Sequence, residues 1–333
     1  MSRTVRFHET GGPEVLVIEE DEVGEPGPGE VRLRVEAIGL NRAEVLFRND
    51  RYIEPVKRFP ARLGTEAAGV LEAVGEGVEG LRVGQPVSVL PGFFSQNDYG
   101  VYAERAVVPA RAVVVRPEGM GALEGATVWM AYVTAYGGLI QLGGMKAGDT
   151  VVLTAGSSSV ALAAIQVANR IGATPIAVTR TAAKKEALLK HGAADVIVTE
   201  SEDVIDRVSA ATGGRGAQLV FDAVAGPGVV DLVKASAANG MVLLYGMLSG
   251  LPTPFPGFDL GMAPVGMRTY TIRETARSAE LWRQAEAFVH SGLRTRTLEP
   301  VIDRTFDLAD IADAHRHLES SVQFGKSAVT VTH

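Results

Sequence analysis

The hydrophobic pattern changes its period partway along the chain. Up to about residue 125, apolar positions fall in short alternating runs, Glu30–Ala37, Gly69–Val74, Val87–Leu90 and Val107–Val115, separated by Gly and Pro clusters such as Glu25-Pro26-Gly27-Pro28-Gly29. Such spacing predicts an antiparallel, barrel-like domain. From about Trp129 helical and strand patterns alternate. Apolar strands recur at Val151, Ile176, Val196, Leu219 and Met241, which predicts a parallel doubly wound sheet. Ligands sit outside the carboxyl ends of such strands, so Leu219–Asp222 and Leu243-Leu244-Tyr245-Gly246 are expected to end at a cofactor. Leu251–Gly266 is rich in Pro, Gly and Met and is neither clean helix nor strand. It reads as a lid or subunit contact, because Phe255, Phe258 and Leu260 are costly to leave in water. Ala279–Gly292 reads as an amphipathic helix and Ser327–Val331 as a closing strand.

The stretch Val151–Arg180 is the most informative of these segments. Val151, Val152 and Leu153 suit a buried parallel strand, and Thr154–Ser159 supplies small residues that let a backbone pass close to a ligand. An Ala-rich helix follows, Gly172 stops it, and Pro175–Val178 begins the next strand. The helix N-terminus, with the hydroxyls of Ser157, Ser158 and Ser159, is suited to a pyrophosphate. Only Gly156 remains of the usual G-x-G-x-x-G glycines, and an ordinary strand-to-helix turn is the alternative. The end of the second strand strengthens the cofactor reading. It runs Thr179-Arg180-Thr181, with Lys184 and Lys185 beyond, where NAD-binding units carry an acid. Arg180 can grip a 2′-phosphate in a fork and Lys184 can add a point charge, which favours NADP(H) over NAD(H).

Composition narrows the function classes. A chain of 333 residues favours two domains, and 46% hydrophobic content is ordinary for a globular protein. The formal charge of −7 argues against nonspecific binding to nucleic acid or anionic lipid. The absence of cysteine excludes disulfides, a thiol nucleophile and thiolate-ligated zinc. No window approaches the run of about 18 apolar residues that a spanning helix needs, and the N-terminus lacks a signal-peptide core. A soluble cytoplasmic protein is expected.

Several segments together resemble the medium-chain dehydrogenase/reductase superfamily and, within it, the zinc-free quinone oxidoreductase branch. They are Gly11–Leu16, Pro26–Glu30, Gly39-Leu40-Asn41, Gly64-Thr65-Glu66-Ala67-Ala68-Gly69 with Val74-Gly75, Thr134-Ala135-Tyr136, Ser158–Gln166, Phe221-Asp222 and Phe324-Gly325-Lys326. The resemblance implies an α/β fold in which a doubly wound Rossmann domain, 126–269, is inserted in a GroES-like β-barrel catalytic domain, 1–125 plus 270–333. It further implies NADPH as cofactor and a homodimer. Asn41, Thr134, Val160, Tyr245, Gly246, Phe324 and Lys326 then join Gly156, Ser157, Ser158, Ser159, Thr179, Arg180 and Lys184 as cofactor contacts. The branch has Gly where this chain has Ser158 and Ala161, so a bulkier pyrophosphate loop is expected. The zinc alcohol dehydrogenases of the superfamily place Cys and His on the metal, where this chain has Asn41 and Thr65. No metal is expected, and His315 and His317 are expected to cap or solvate a helix.

Without a metal, oxyanion-type donors and a phenol remain to polarise a substrate carbonyl. Tyr52 resembles the active-site tyrosine of quinone and enoyl reductases and is the first candidate, with a surface-loop aromatic as the alternative. Asn41 is the second, as an amide donor, and Thr65 the third. The expected activity is reduction of a small quinone or α,β-unsaturated carbonyl by NADPH. An enoyl-thioester reductase and a noncatalytic NADPH-binding protein are the alternatives.

Overall fold

The computed structural model describes residues 1–333, the side chain of Asp259 excepted. The chain divides into two compact units, Met1–Met130 with Pro300–His333, and Ala131–Glu299.

In the first unit, Glu30–Gly39 is the central strand. It pairs antiparallel with Ala67–Val74, with Arg105–Pro109 along its first half and with Lys326–Thr330 along its last residues. Its alternation decides its facing. Val31, Leu33 and Val35 are fully buried, while Arg32 and Arg34 lie toward solvent, as a period of two requires. The strands form a seven-stranded and a three-stranded sheet. Among the described residues their pairings do not close into a ring, so the expected barrel is open. The run Val107–Val115, expected as one strand, is two. It breaks after Pro109 at a single 3₁₀ turn, Ala110–Ala112, and resumes at Val113–Val115.

In the second unit all strands are parallel. Their order is Asp195–Val198, Thr174–Thr179, Thr150–Leu153, Ala217–Asp222, Ser236–Leu244 and Gly266–Thr269. The order reverses between Thr150–Leu153 and Ala217–Asp222, and the carboxyl ends of those two strands define the switch point. Val151, Val152 and Leu153 are fully buried, as expected of a strand covered on both faces. The helix Ser159–Ile171 ends at Gly172, whose φ of 82° suits a residue without Cβ.

Gly266–Thr269 was not legible as a strand, because Gly, Met, Arg and Thr show no apolar alternation; it forms one edge of the sheet. Before it, the apolar side chains of Leu251, Phe255, Phe258 and Met262 are exposed in the chain. The second crossing between the units falls at Glu299–Pro300 rather than at 270. The reason is the helix Ala279–Arg294. Gln141 donates to the Leu281 carbonyl (2.7 Å), and Arg170 donates to the Phe288 carbonyl (2.8 Å) and lies over its ring.

Candidate active site

Asn41 lies two residues beyond the central strand and caps the helix Arg42–Arg48. Glu44, three residues on, reaches back to accept from the Asn41 N–H (2.7 Å), which satisfies a donor at the helix start. The Asn41 side chain is used elsewhere. Its Oδ1 accepts from Lys326 Nζ (2.6 Å) and its Nδ2 donates to the Gly39 carbonyl (3.3 Å). A lysine ammonium only donates, so it fixes which end of the amide is which. Asn41 is thereby held with its second N–H as the remaining donor.

Lys326 and Glu66 are both buried and paired at 2.7 Å. The other Glu66 oxygen accepts from the Met130 N–H (2.8 Å) at the start of the helix Trp129–Tyr136. Gly39 leaves space for the Ala126 carbonyl and for the pair, since a Cβ there would lie 2.0 Å from the Ala126 oxygen, 2.9 Å from Glu66 Oε2 and 3.0 Å from Lys326 Cε. Thr65 donates through both its N–H (3.2 Å) and its hydroxyl (2.7 Å) to Glu44 Oε1. Burial, opposed by the Thr65 hydrogen bond and the Lys326 charge, pushes the Glu44 carboxyl up to about 7.

Three sequence candidates, Asn41, Thr65 and Lys326, therefore belong to one buried network. Tyr52 lies on the bend after the helix, half-buried against the antiparallel core. Phe324 precedes the last strand, and its N–H donates to Asp303 (3.0 Å). Glu44 and Glu66 were missed as site residues. The spacing of Asn41 and Glu44 matches the ends of a capping box, a signal that could have found Glu44.

His315 departs from expectation. It is fully buried, its Nδ1 lies 2.8 Å from Arg48 Nη1, and burial together with the Arg48 charge lowers its pKa to about 3. A neutral, core histidine replaces the expected solvated one. Arg48 also donates to Glu319 (2.6 Å) and the Gly11 carbonyl (2.9 Å). His317 faces another way and pairs with Asp303. Among the described residues no group of His, Cys, Asp or Glu is arranged to hold a metal ion.

The second unit builds the expected strand, serine turn and helix. After the strand Thr150–Leu153 the chain turns at Ala155, which takes a left-handed φ of 49°, and the Gly156 N–H bonds to the Val178 carbonyl (2.9 Å). Ser158 caps the helix, its Oγ accepting from the Ala161 N–H (3.2 Å). Its hydroxyl is thus committed to the helix as acceptor. The N–H groups of Ser159 and Val160 find no acceptor among the described residues, leaving two donors on the positive end of the helix dipole. Lys184 donates to Ser157 Oγ (2.9 Å), which ties the second strand's exit to the loop. Thr179 ends that strand and Arg180 follows it, exposed.

Across the switch point Asp222 Oδ1 accepts from the Thr154 hydroxyl (2.5 Å) and the Val224 N–H (2.8 Å), and Oδ2 from the Ala225 N–H (2.9 Å). Tyr245 stacks on Phe221 with ring centroids 4.0 Å apart, and burial holds its phenol well above the ordinary value. Gly246 follows it, and Thr134 is buried on the helix Trp129–Tyr136. Small residues, free helix-end donors and an exposed arginine form a donor set that fits a phosphorylated dinucleotide.

Residues 27–118 match the alcohol dehydrogenase GroES-like domain family, and residues 159–291 match the zinc-binding dehydrogenase family. The chain is 31% identical to a quinone oxidoreductase of Pseudomonas aeruginosa over 99% of each chain. Its structure is similar to that of Escherichia coli quinone oxidoreductase complexed with NADPH, with a TM-score of 0.91, 25% identity, and coverage of 99% of this chain and 100% of that one. A mycobacterial protein complexed with NADPH gives a TM-score of 0.89 at 27% identity, over 99% of this chain and 100% of that one.

Proposed function

Because the chain belongs to the medium-chain dehydrogenase/reductase superfamily, in its quinone oxidoreductase branch, we propose that it is an NADPH-dependent, zinc-independent reductase of quinones or α,β-unsaturated carbonyls. The observation that carries the reading is the Asn41 amide, a neutral donor whose direction Lys326 fixes. A preorganised donor of this kind stabilises charge developing on an acceptor oxygen without a metal. Bound NADPH supplies a hydride from nicotinamide C4 to the quinone ring or the electron-poor carbon. Ser159 and Val160 N–H groups with the Ser157 hydroxyl hold the pyrophosphate, and Arg180 grips the 2′-phosphate. Thr134, Thr179, Tyr245 and Gly246 line the cofactor. Asn41 and Thr65 orient the acceptor, and Tyr52 or water provides the proton that completes the reduction.

The cofactor half is tested by fluorescence titration. NADPH is expected to bind at least about tenfold more tightly than NADH, a difference of about 1.4 kcal/mol, and Arg180→Ala to erase most of it. Equal wild-type affinities would remove the basis for the NADPH assignment. In the same preparations kcat/KM is expected to be higher for a quinone than for a 2-enoyl thioester; the opposite order favours an enoyl-thioester reductase.

A cytoplasmic homodimer completes the proposal. No helix among the described residues is long and apolar enough to cross a membrane. The uncovered side chains of Leu251, Phe255, Phe258 and Met262, next to the edge strand Gly266–Thr269, support pairing with a second copy. Sedimentation velocity is expected to give twice the chain mass, falling to the chain mass when Phe255 and Phe258 are both changed to Asp. A monomeric wild type overturns this part.

A further inference from the structure

We propose that Glu44 is a positioning residue for the reductase site, its proton setting the direction in which the Thr65 hydroxyl donates. The inference rests on the reductase reading above and adds to it a control on one donor. The geometry carries it. Glu44 Oε2 is committed to the Asn41 N–H, whereas Oε1 takes both the Thr65 N–H and the Thr65 hydroxyl. With the carboxyl ionised, the only hydroxyl proton of Thr65 is spent on Glu44, and Thr65 presents only lone pairs to a ligand. With Oε1 protonated, Glu44 donates to Thr65 Oγ1, and the Thr65 proton turns to a ligand oxygen. The Asn41 N–H bond to Oε2 survives in either state. The switch reverses one hydrogen bond and moves no backbone.

The surroundings make such a proton exchangeable at ordinary pH. Glu44 is completely buried, and Lys326 is the cation that opposes its neutralisation. Lys326 is already paired with Glu66, so three buried groups carry two negative charges against one positive when Glu44 is ionised. Tyr102, buried beside them, feels Glu44, Glu66 and Arg48, and its own phenol is pushed well above the ordinary value by burial. Arg48, one turn along the same helix, is held by Glu319 and by His315, which burial keeps neutral. Burial among these groups is what pushes the Glu44 carboxyl up to about 7.

The sign follows from the acceptor. A quinone or enone oxygen gains negative charge as it is reduced and is stabilised by a donor, so the protonated state of Glu44 is the faster one. Wild-type kcat at saturating NADPH is expected to fall about tenfold as pH rises through about 7. Glu44→Gln, whose amide nitrogen donates to the Thr65 hydroxyl oxygen while its oxygen accepts from the Asn41 N–H, gives up only the acceptor of the Thr65 N–H and is expected to lose the inflection, its rate unchanged across that range. Thr65→Val is expected to be flat at the slower rate, and Thr65→Ser to keep the wild-type inflection. A Glu44→Gln enzyme slowed equally at every pH, with its inflection retained, would reduce Glu44 to a helix cap.

If Glu44→Gln does not fold, the Thr65 pair decides: an inflection surviving in Thr65→Val overturns the proposal, and its loss there but not in Thr65→Ser supports it. An infrared readout is independent of turnover. The wild type is expected to show the carbonyl stretch of a buried protonated carboxyl that disappears as pH rises through about 7 and moves to higher frequency in Thr65→Val. Its absence overturns the role of Glu44 and leaves the reductase reading intact. The band without reduction of any acceptor overturns the reductase reading alone.

Discussion

Lys326→Met is expected to lower the unfolding free energy by about 3–5 kcal/mol, the cost of leaving one member of a buried ion pair without its partner. Lys326 and Glu66 are both buried and lie 2.7 Å apart. Removing the ammonium strands the Glu66 carboxylate in the core and releases the Asn41 Oδ1. Methionine fills most of the volume, so the loss reads the charge rather than a cavity. Denaturant unfolding followed by circular dichroism measures it. Adding Glu66→Gln to the variant is expected to restore a large share of stability, because the uncompensated charge is gone. Reductase activity is not expected to return, since nothing then fixes the Asn41 amide. A single variant as stable as the wild type would show that the pair carries little of the fold.

Tyr52→Phe is expected to lower kcat on an enone by about 10²-fold, the scale of a general acid's contribution, with NADPH affinity unchanged. Tyr52 is half-buried, packed against the antiparallel core, so removal of the hydroxyl alone leaves its apolar contacts in place. Quinones are expected to respond less, because a reduced quinone oxygen is stable enough as an anion to collect its proton from water. Steady-state kinetics on both acceptor classes gives the comparison. Unaltered turnover on several enones would return Tyr52 to the role of a loop aromatic and leave Asn41, Thr65 and water as the groups meeting the acceptor.

The parts of this fold that announced themselves in the sequence are those whose side chains obey a period. Val31, Leu33 and Val35 alternate with arginines, and the central strand was legible from them. Val151–Leu153, the serine turn and Gly172 likewise marked the strand, the turn and the helix after it. What stayed hidden depends on pairing across long separations. Asn41 and Lys326 stand 285 residues apart, and Lys326 and Glu66 stand 260 apart; no local pattern announces either bond. The edge strand Gly266–Thr269 has no alternation to read. His315 looked like a helix-surface histidine because a spacing of two reveals only that it and His317 face apart, not which of them Arg48 meets. The crossing at Glu299–Pro300 was equally invisible, being set by contacts of Leu281 and Phe288 with Gln141 and Arg170.

The return of the chain to its first unit has a consequence for biosynthesis. Lys326–Thr330 completes the sheet begun by Glu30–Gly39, and it brings the cation on which the Asn41 amide depends. Ala131–Glu299, by contrast, is one uninterrupted stretch. A nascent chain stalled on the ribosome after Glu299 has therefore made the whole of the serine turn and its helix and still lacks the lysine that fixes the Asn41 amide. The buried carboxylate of Glu66 waits for its counter-charge until Lys326 has been made.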